Sequence, residues 1–189
     1  MRLFVAAEVG ERLAGRIGAV IDDLRARVVA SAPRAKVTWM AADRVHVTVR
    51  FIGEVDAARV EPMRAALRLP LAVGAFDLRL AGVGAFPKGG SPRVLWVGVA
   101  DGFESLKHVE QHVSARLASM GVPEESRPYS PHLTVARVRE AAGLKTATLL
   151  EGLVDVPLGV AHIDAITLFQ SRLSPKGPTY LPLERIPLT

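Results

Sequence analysis

Two short segments of the chain carry the same pair of reactive side chains. "HVTV" begins at His46, and "HLTV" begins at His132, 86 positions later. In an extended strand successive side chains point to opposite faces, so residues i and i+2 share a face. His46 and Thr48 therefore stand together on one side of a strand, while Val45, Val47 and Val49 anchor the other. His132 and Thr134 repeat the arrangement around Leu133. An imidazole titrates near neutrality, with an ordinary pKa of about 6.5, so one can give a proton while another takes one. A threonine hydroxyl is a neutral donor suited to phosphoryl oxygens. Two such pairs facing each other across a cleft have the parts for phosphodiester cleavage without a metal or a covalent intermediate. A single copy reads as a packed strand histidine. Duplication in matching contexts is what points to chemistry.

These pairs need strands to hold them and helices to cover the strands. "RLFVAAEV" reads as a first strand. Leu13, Ile17, Val20, Ile21, Leu24 and Val28 then recur at helical spacing, and "SAPR" (31–34) ends that helix. "KVTWM" and "RVHVTVRFIG" follow as strands. A helix is expected over 57–69, with Val60, Met63 and Leu67 inward and Pro70 as its stop. "FDLRLAGVGAF" and "RVLWVGV" make a hairpin around "PKGGSP". Residues 103–120 form the clearest helix, with Phe103, Leu106, Val109, Val113 and Leu117 as its stripe and Gly121 as its cap. "PHLTVARV" is a strand, and 143–152 a short helix. "HIDAITLFQSRL" and "TYLPLERIPL" close the chain around the turn "SPKG", with Pro182 placing the last segment at a sheet edge. Interspersed strands and helices with hairpin connections argue an α+β fold. Both halves run helix, then H-x-T strand, with hairpin strands nearby, so the chain is expected to be a pseudo-duplication: two lobes with a cleft between them.

Composition bounds the options. The 189 residues are 49% apolar and 23% charged, a globular balance that can bury a core. Net charge is +5, and arginine outnumbers lysine 19 to 5. Arginine's planar fork grips two phosphate oxygens at once, although an Arg- and Ala-rich composition also follows from codon usage. No run of five like charges forms a nucleic-acid tail. The cysteine count is zero, which removes disulfides, thiolate nucleophiles and thiolate zinc sites. No apolar run reaches transmembrane length and no signal-peptide layout is evident, so no membrane association and a cytoplasmic location are expected. His108 and His112 lie four apart on a helix, but H-E-x-x-H is missing and the apolar stripe runs through Val109 and Val113. They read as surface residues, and His162 as structural. "KGG" (88–90) lacks the P-loop pattern. No metal or cofactor site is expected.

The paired H-x-T-x motifs "HVTVRFIGEV" and "HLTVARV" resemble those of the 2H phosphoesterase superfamily. Within it the chain is similar to the bacterial and archaeal RNA 2′,3′-cyclic phosphodiesterases, also called 2′-5′ RNA ligases. "RLFVAAEV", "GVGAFP…RVLWVGV" and "ITLFQSRLSPKGPTYLPLERIPL" extend the resemblance over essentially the whole chain, 1–189, as a single bilobal domain. It implies antiparallel sheets lining a central cleft with helices outside. It also implies opening of a 2′,3′-cyclic phosphate at an RNA end to a 2′-phosphate. His46 matches the proton donor to the departing 3′-oxygen, and His132 the acceptor that activates water. Thr48 and Thr134 would hold the nonbridging oxygens. Run backwards, the same acid and base would join a 2′-phosphate end to a 5′-hydroxyl.

The resemblance further suggests an aromatic beside the base and a cation beside the phosphate at Phe51 and Arg137, each five residues past its histidine. A flat strand would turn both to the opposite face unless a bulge intervenes. Tyr129 could stack on a base and Arg127 could meet phosphate; a core aromatic and a solvated loop charge are the competing readings. Lys176 reads as a turn residue. The partner expected is RNA with 2′,3′-cyclic phosphate ends, tRNA fragments among them, bound by a monomer. Two alternatives stand beside this. One is a 2H enzyme acting on a cyclic nucleotide or ADP-ribose cyclic phosphate. The other is an RNA-binding module with incidental catalysis.

Overall fold

The computed structural model describes residues 1–174 and 177–189; Lys176 lies outside them. The elements are β1 (Arg2–Glu8), α1 (Glu11–Ser31), β2 (Lys36–Trp39), β3 (His46–Glu54), α2 (Ala57–Arg68), β4 (Phe76–Phe86), β5 (Val94–Asp101), α3 (Phe103–Ala118), β6 (His132–Glu140), α4 (Thr146–Leu149), β7 (Pro157–Ile163), β8 (Ala165–Ser174) and β9 (Gly177–Pro187). A 3₁₀ turn, Ala42–Arg44, leads into β3. Apolar periodicity accounts for most of this. All six stripe residues of α1 are buried, as are Leu106, Val109, Val113 and Leu117 of α3. Each such side chain contributes about 1.5–3 kcal/mol through burial.

Among the described residues the strands form one antiparallel sheet in the order β7-β4-β5-β6-β3-β1-β8-β9, with β2 added to β6. The order divides into two lobes. β3, β1, β8 and β9 make one; β7, β4, β5 and β6 make the other. A single residue pair, Val47↔Leu133, joins them between β3 and β6. Beyond it the strands part, and β2 takes over the free edge of β6 through Lys36–Trp39. The pseudo-duplication and the cleft expected from the sequence both follow from this one-pair seam.

The helices tie the lobes together by crossing over. α1 follows β1 in the chain but packs on β7 of the other lobe, where Arg16 donates to the Leu158 carbonyl at 3.1 Å. α3 follows β5 but packs on β3. Arg116 of α3 donates to the carbonyls of Leu67, Leu69 and Pro70 at the end of α2. Arg64 and Arg68 of α2 pair with Glu184 of β9 at 3.3 Å. No helix of the described residues is long and apolar enough to cross a membrane.

Several local expectations shift. Phe103 is 39% exposed rather than part of the α3 stripe. It is the first residue of the helix and leans toward Tyr129, ring centroids 6.5 Å apart. The helix expected over 143–152 is one turn, Thr146–Leu149. "HIDAITLFQSRL" is broken at Asp164: its first two residues end β7, an edge strand that begins at Pro157, and the rest form β8, which lies between β1 and β9 toward the other end of the sheet. Pro182 does sit on the edge strand β9, beside a register shift opposite Leu168 and Phe169.

Candidate active site

β3 and β6 meet near their first residues, so the seam pair is also the centre of the site. Val47 and Leu133, both fully buried, hold the register from the core side. Antiparallel pairing about them sets His46 across from Thr134 and Thr48 across from His132 on the opposite face. The four side chains line one cavity of about 720 Å³. Arg2, Arg137 and Arg139 also line it, and among the described residues no carboxylate does. Such a wall favours an anion.

The two imidazoles are held alike. His46 Nδ1 lies 2.9 Å from the Arg44 carbonyl, and His132 Nδ1 lies 2.8 Å from the Ser130 carbonyl. A carbonyl only accepts, so each Nδ1 carries a hydrogen and donates it. In the neutral ring Nε2 is then the free base. Both rings are also clamped by aromatics. Phe4 stacks on His46 at 5.0 Å, and Tyr180 meets it edge-on at 5.0 Å. Phe86 meets His132 edge-on at 5.1 Å, with Trp96 at 6.4 Å.

Burial lowers the pKa of both histidines below the ordinary value, and Arg137 lowers both further. The backbone hydrogen bonds work the other way. Only His46 has a carboxylate opposing the shift: Glu8, its cross-strand partner. That carboxylate accepts from Thr167 Oγ1 at 2.9 Å. Burial raises the Tyr180 phenol, which therefore remains a donor beside His46.

The offset of Phe51 and Arg137 is resolved by two bulges. On β3, Ala6 pairs Thr48 and Val5 pairs Arg50, so Val49 is the extra residue. On β6, Trp96 pairs Thr134 and Leu95 pairs Ala136, so Val135 is extra. Each bulge falls three residues past its histidine and reverses the alternation, returning Phe51 and Arg137 to the histidine face. Both line the cavity. The bulges also turn Arg50 and Ala136 inward, and Arg50 is 5% exposed.

Tyr129 and Arg127 lie elsewhere. They line a second cavity of about 860 Å³ that adjoins the first and shares Thr48, Phe51, Val94 and His132 with it. Tyr129 donates to the Thr48 carbonyl at 3.1 Å, bracing β3 from behind. Burial, with Glu110 nearby, pushes its phenol up, so it stays protonated. His108 and His112 are exposed on α3, and His162 pairs with Asp77 at 2.8 Å on the surface. Among the described residues no group of three or more His, Cys, Asp and Glu gathers in a way that could hold a metal. Sequence reasoning did not single out Arg2, Arg139, Glu8, Phe4 or Tyr180. Arg2, Phe4, Glu8 and Tyr180 reach the site through strand pairing across the lobe, a signal that no local motif carries. Arg139 instead lies on β6 itself, two residues past Arg137 on the same face, where strand alternation signals it.

A family model described as the 2′-5′ RNA ligase superfamily matches residues 13–174. The chain belongs to this superfamily. It is 38% identical to an RNA 2′,3′-cyclic phosphodiesterase of Aeropyrum pernix, over 76% of this chain and 82% of that one. It is 29% identical to the protein of the same name from Methanocaldococcus jannaschii, over 95% of this chain and 96% of that one. Among solved structures, E. coli LigT in its apo form matches with a TM-score of 0.72 and 25% identity, covering all of this chain and 97% of that one. The α+β architecture with a curled antiparallel sheet is thus the superfamily's own fold. The two H-x-T strands of this superfamily member lie at the seam of that sheet.

Proposed function

We propose that the protein opens the 2′,3′-cyclic phosphate at an RNA end to a 2′-phosphate, with His46 as acid and His132 as base. The observation that carries this is the meeting of two identically tethered H-x-T pairs in one cavity lined by arginines. His132 Nε2 takes a proton from water as the water oxygen bonds to phosphorus. The bond from phosphorus to the 3′-oxygen breaks, and His46 Nε2–H protonates that oxygen. Glu8 supports the direction of transfer, because it favours the charged form of His46 and has no counterpart at His132. Thr48 and Thr134 donate to the nonbridging oxygens, and Arg137 balances the charge that gathers there. A 5′-hydroxyl in the place of water gives a 2′-5′ diester by the same proton movements.

The 189 residues act as one bilobal unit, as a monomer. The wide cationic cavity favours RNA over a small closed-pocket substrate, and tRNA fragments are fitting natural ends. The decisive experiment incubates a short RNA bearing a 2′,3′-cyclic phosphate with wild type, His46→Ala and His132→Ala in EDTA. Wild type is expected to yield only 2′-phosphate, and each variant to lose about 10²–10⁴-fold in rate. A 3′-phosphate product overturns the role of the 3′-oxygen as leaving group. Activity lost in EDTA and restored by a divalent cation overturns the metal-free mechanism. Opening of cyclic mononucleotides but not RNA moves the substrate to the small-molecule class.

A further inference from the structure

The second cavity contrasts with the first in charge. Three arginines and no carboxylate line the first among the described residues; Glu110, Glu124 and Glu125 outnumber Arg50 and Arg127 in the second. A phosphate backbone is drawn to the first and repelled by the second. Yet the two meet at Thr48, Phe51 and His132, at the centre of the site. Phe51 stands on the divide with 53% of its surface exposed, which leaves a ring face free for stacking. The inner wall is built rather than incidental. Arg50 is 5% exposed, donates to the Pro123 carbonyl, lies 4.0 Å from Glu110 and keeps its Nε without a partner. Ser114 holds one oxygen of Glu110 at 2.5 Å.

We infer that this second cavity is a seat for the base of the nucleoside that carries the cyclic phosphate, and that its carboxylates select guanine. The inference rests on the reaction proposed above and adds the identity of the terminal base. A carboxylate accepts only, so it rewards an edge that presents hydrogens. Guanine offers N1–H and the N2 amino group side by side. Adenine and cytosine offer one amino group each. Uracil offers a single N3–H between two carbonyl oxygens, which a carboxylate repels. The expected order is guanine first, adenine and cytosine next, uracil last. The strand upstream of the terminal nucleoside then runs over Arg2, Arg137 and Arg139.

Four short RNAs that differ only in the base bearing the cyclic phosphate test this. In wild type, kcat/KM for the guanine end is expected to exceed that for the uracil end by about tenfold or more. In Glu124→Gln/Glu125→Gln, and separately in Glu110→Gln, the ratio falls toward unity. Both rates come from one protein, so partial loss of fold cancels from the ratio. If Glu110→Gln does not fold, the double variant decides by itself, since both of its residues are exposed. Equal rates in wild type, or a preference that survives the substitutions intact, overturn the assignment. Equilibrium dialysis of guanosine 2′-phosphate against uridine 2′-phosphate separates this inference from the reaction. Tighter binding of the guanosine product supports the seat, and equal binding overturns it, even where no RNA end is opened and the proposed reaction itself fails.

Discussion

His46 and His132 are equivalent by sequence and inequivalent by surroundings. Both rings donate Nδ1–H to a carbonyl two residues back, so their free nitrogens are the same. The difference lies in Glu8, which faces His46 alone. Burial and Arg137 hold both pKa values below 6.5. The sign is then fixed. Activity falls at high pH as the acid loses its proton, and at low pH as the base gains one. The profile of kcat/KM is expected to be a bell centred below 6.5, with apparent pKa values that belong to the pair. A rate measured from pH 5 to 9 that stays flat rejects acid–base catalysis by these residues. Glu8→Gln is expected to shift the high-pH limb to lower pH, because the charge that supports protonated His46 is gone; an unmoved limb rejects that role.

Bulges and one glycine set the placement at the scale of elements. Val49 and Val135 each add a residue to their strand, and only this brings Phe51 and Arg137 round to the histidines. Gly84 of β4 lies opposite Trp96, and a Cβ there would overlap the indole ring. The indole rests on that bare backbone, and Phe86 and His132 rest near the indole. Gly84→Ala is expected to displace Trp96 and, through it, His132. A shift of about 1 Å costs on the order of 10²-fold in rate, readable as a fall in kcat with the cyclic-phosphate RNA. Wild-type kcat in this variant removes the indole as a support. At the seam, Leu133→Ala leaves a void beneath the only pair that joins β3 to β6 among the described residues. It is expected to cost about 2–5 kcal/mol in denaturant unfolding.

For the molecule as a whole, each half of the sheet is packed by a helix that the chain supplies from the other. α1 lies on β7 and α3 on β3. The cleft is therefore braced from outside while its floor is a single residue pair. Charge is divided at the same scale, with arginines around one cavity and carboxylates around its neighbour. RNA affinity is expected to weaken with salt. Three phosphate contacts by Arg2, Arg137 and Arg139 give a slope of about −2 in log K against log salt for a single strand. Arg139→Ala should reduce that slope by about 0.7. A slope near zero in a titration of binding removes the backbone from the first cavity.

The sequence by itself determined the parts that repeat or alternate. Period-two and helical patterns located nearly every strand and helix, because apolar side chains must face a core wherever the chain goes. The H-x-T pairs were legible for the same reason: their chemistry is local, two side chains on one face of one strand. Tertiary structure alone decided what those pairs meet. No local pattern announces the bulges at Val49 and Val135, since a bulge is defined by the neighbouring strand's register. Arg2, Glu8 and Tyr180 come from β1 and β9 and reach the histidines only because the sheet folds those strands together. Tyr129 precedes His132 by three residues, yet the fold turns it to brace Thr48 from the second cavity. Sequence distance carries no information about such contacts, because a sheet pairs residues by register and not by proximity along the chain.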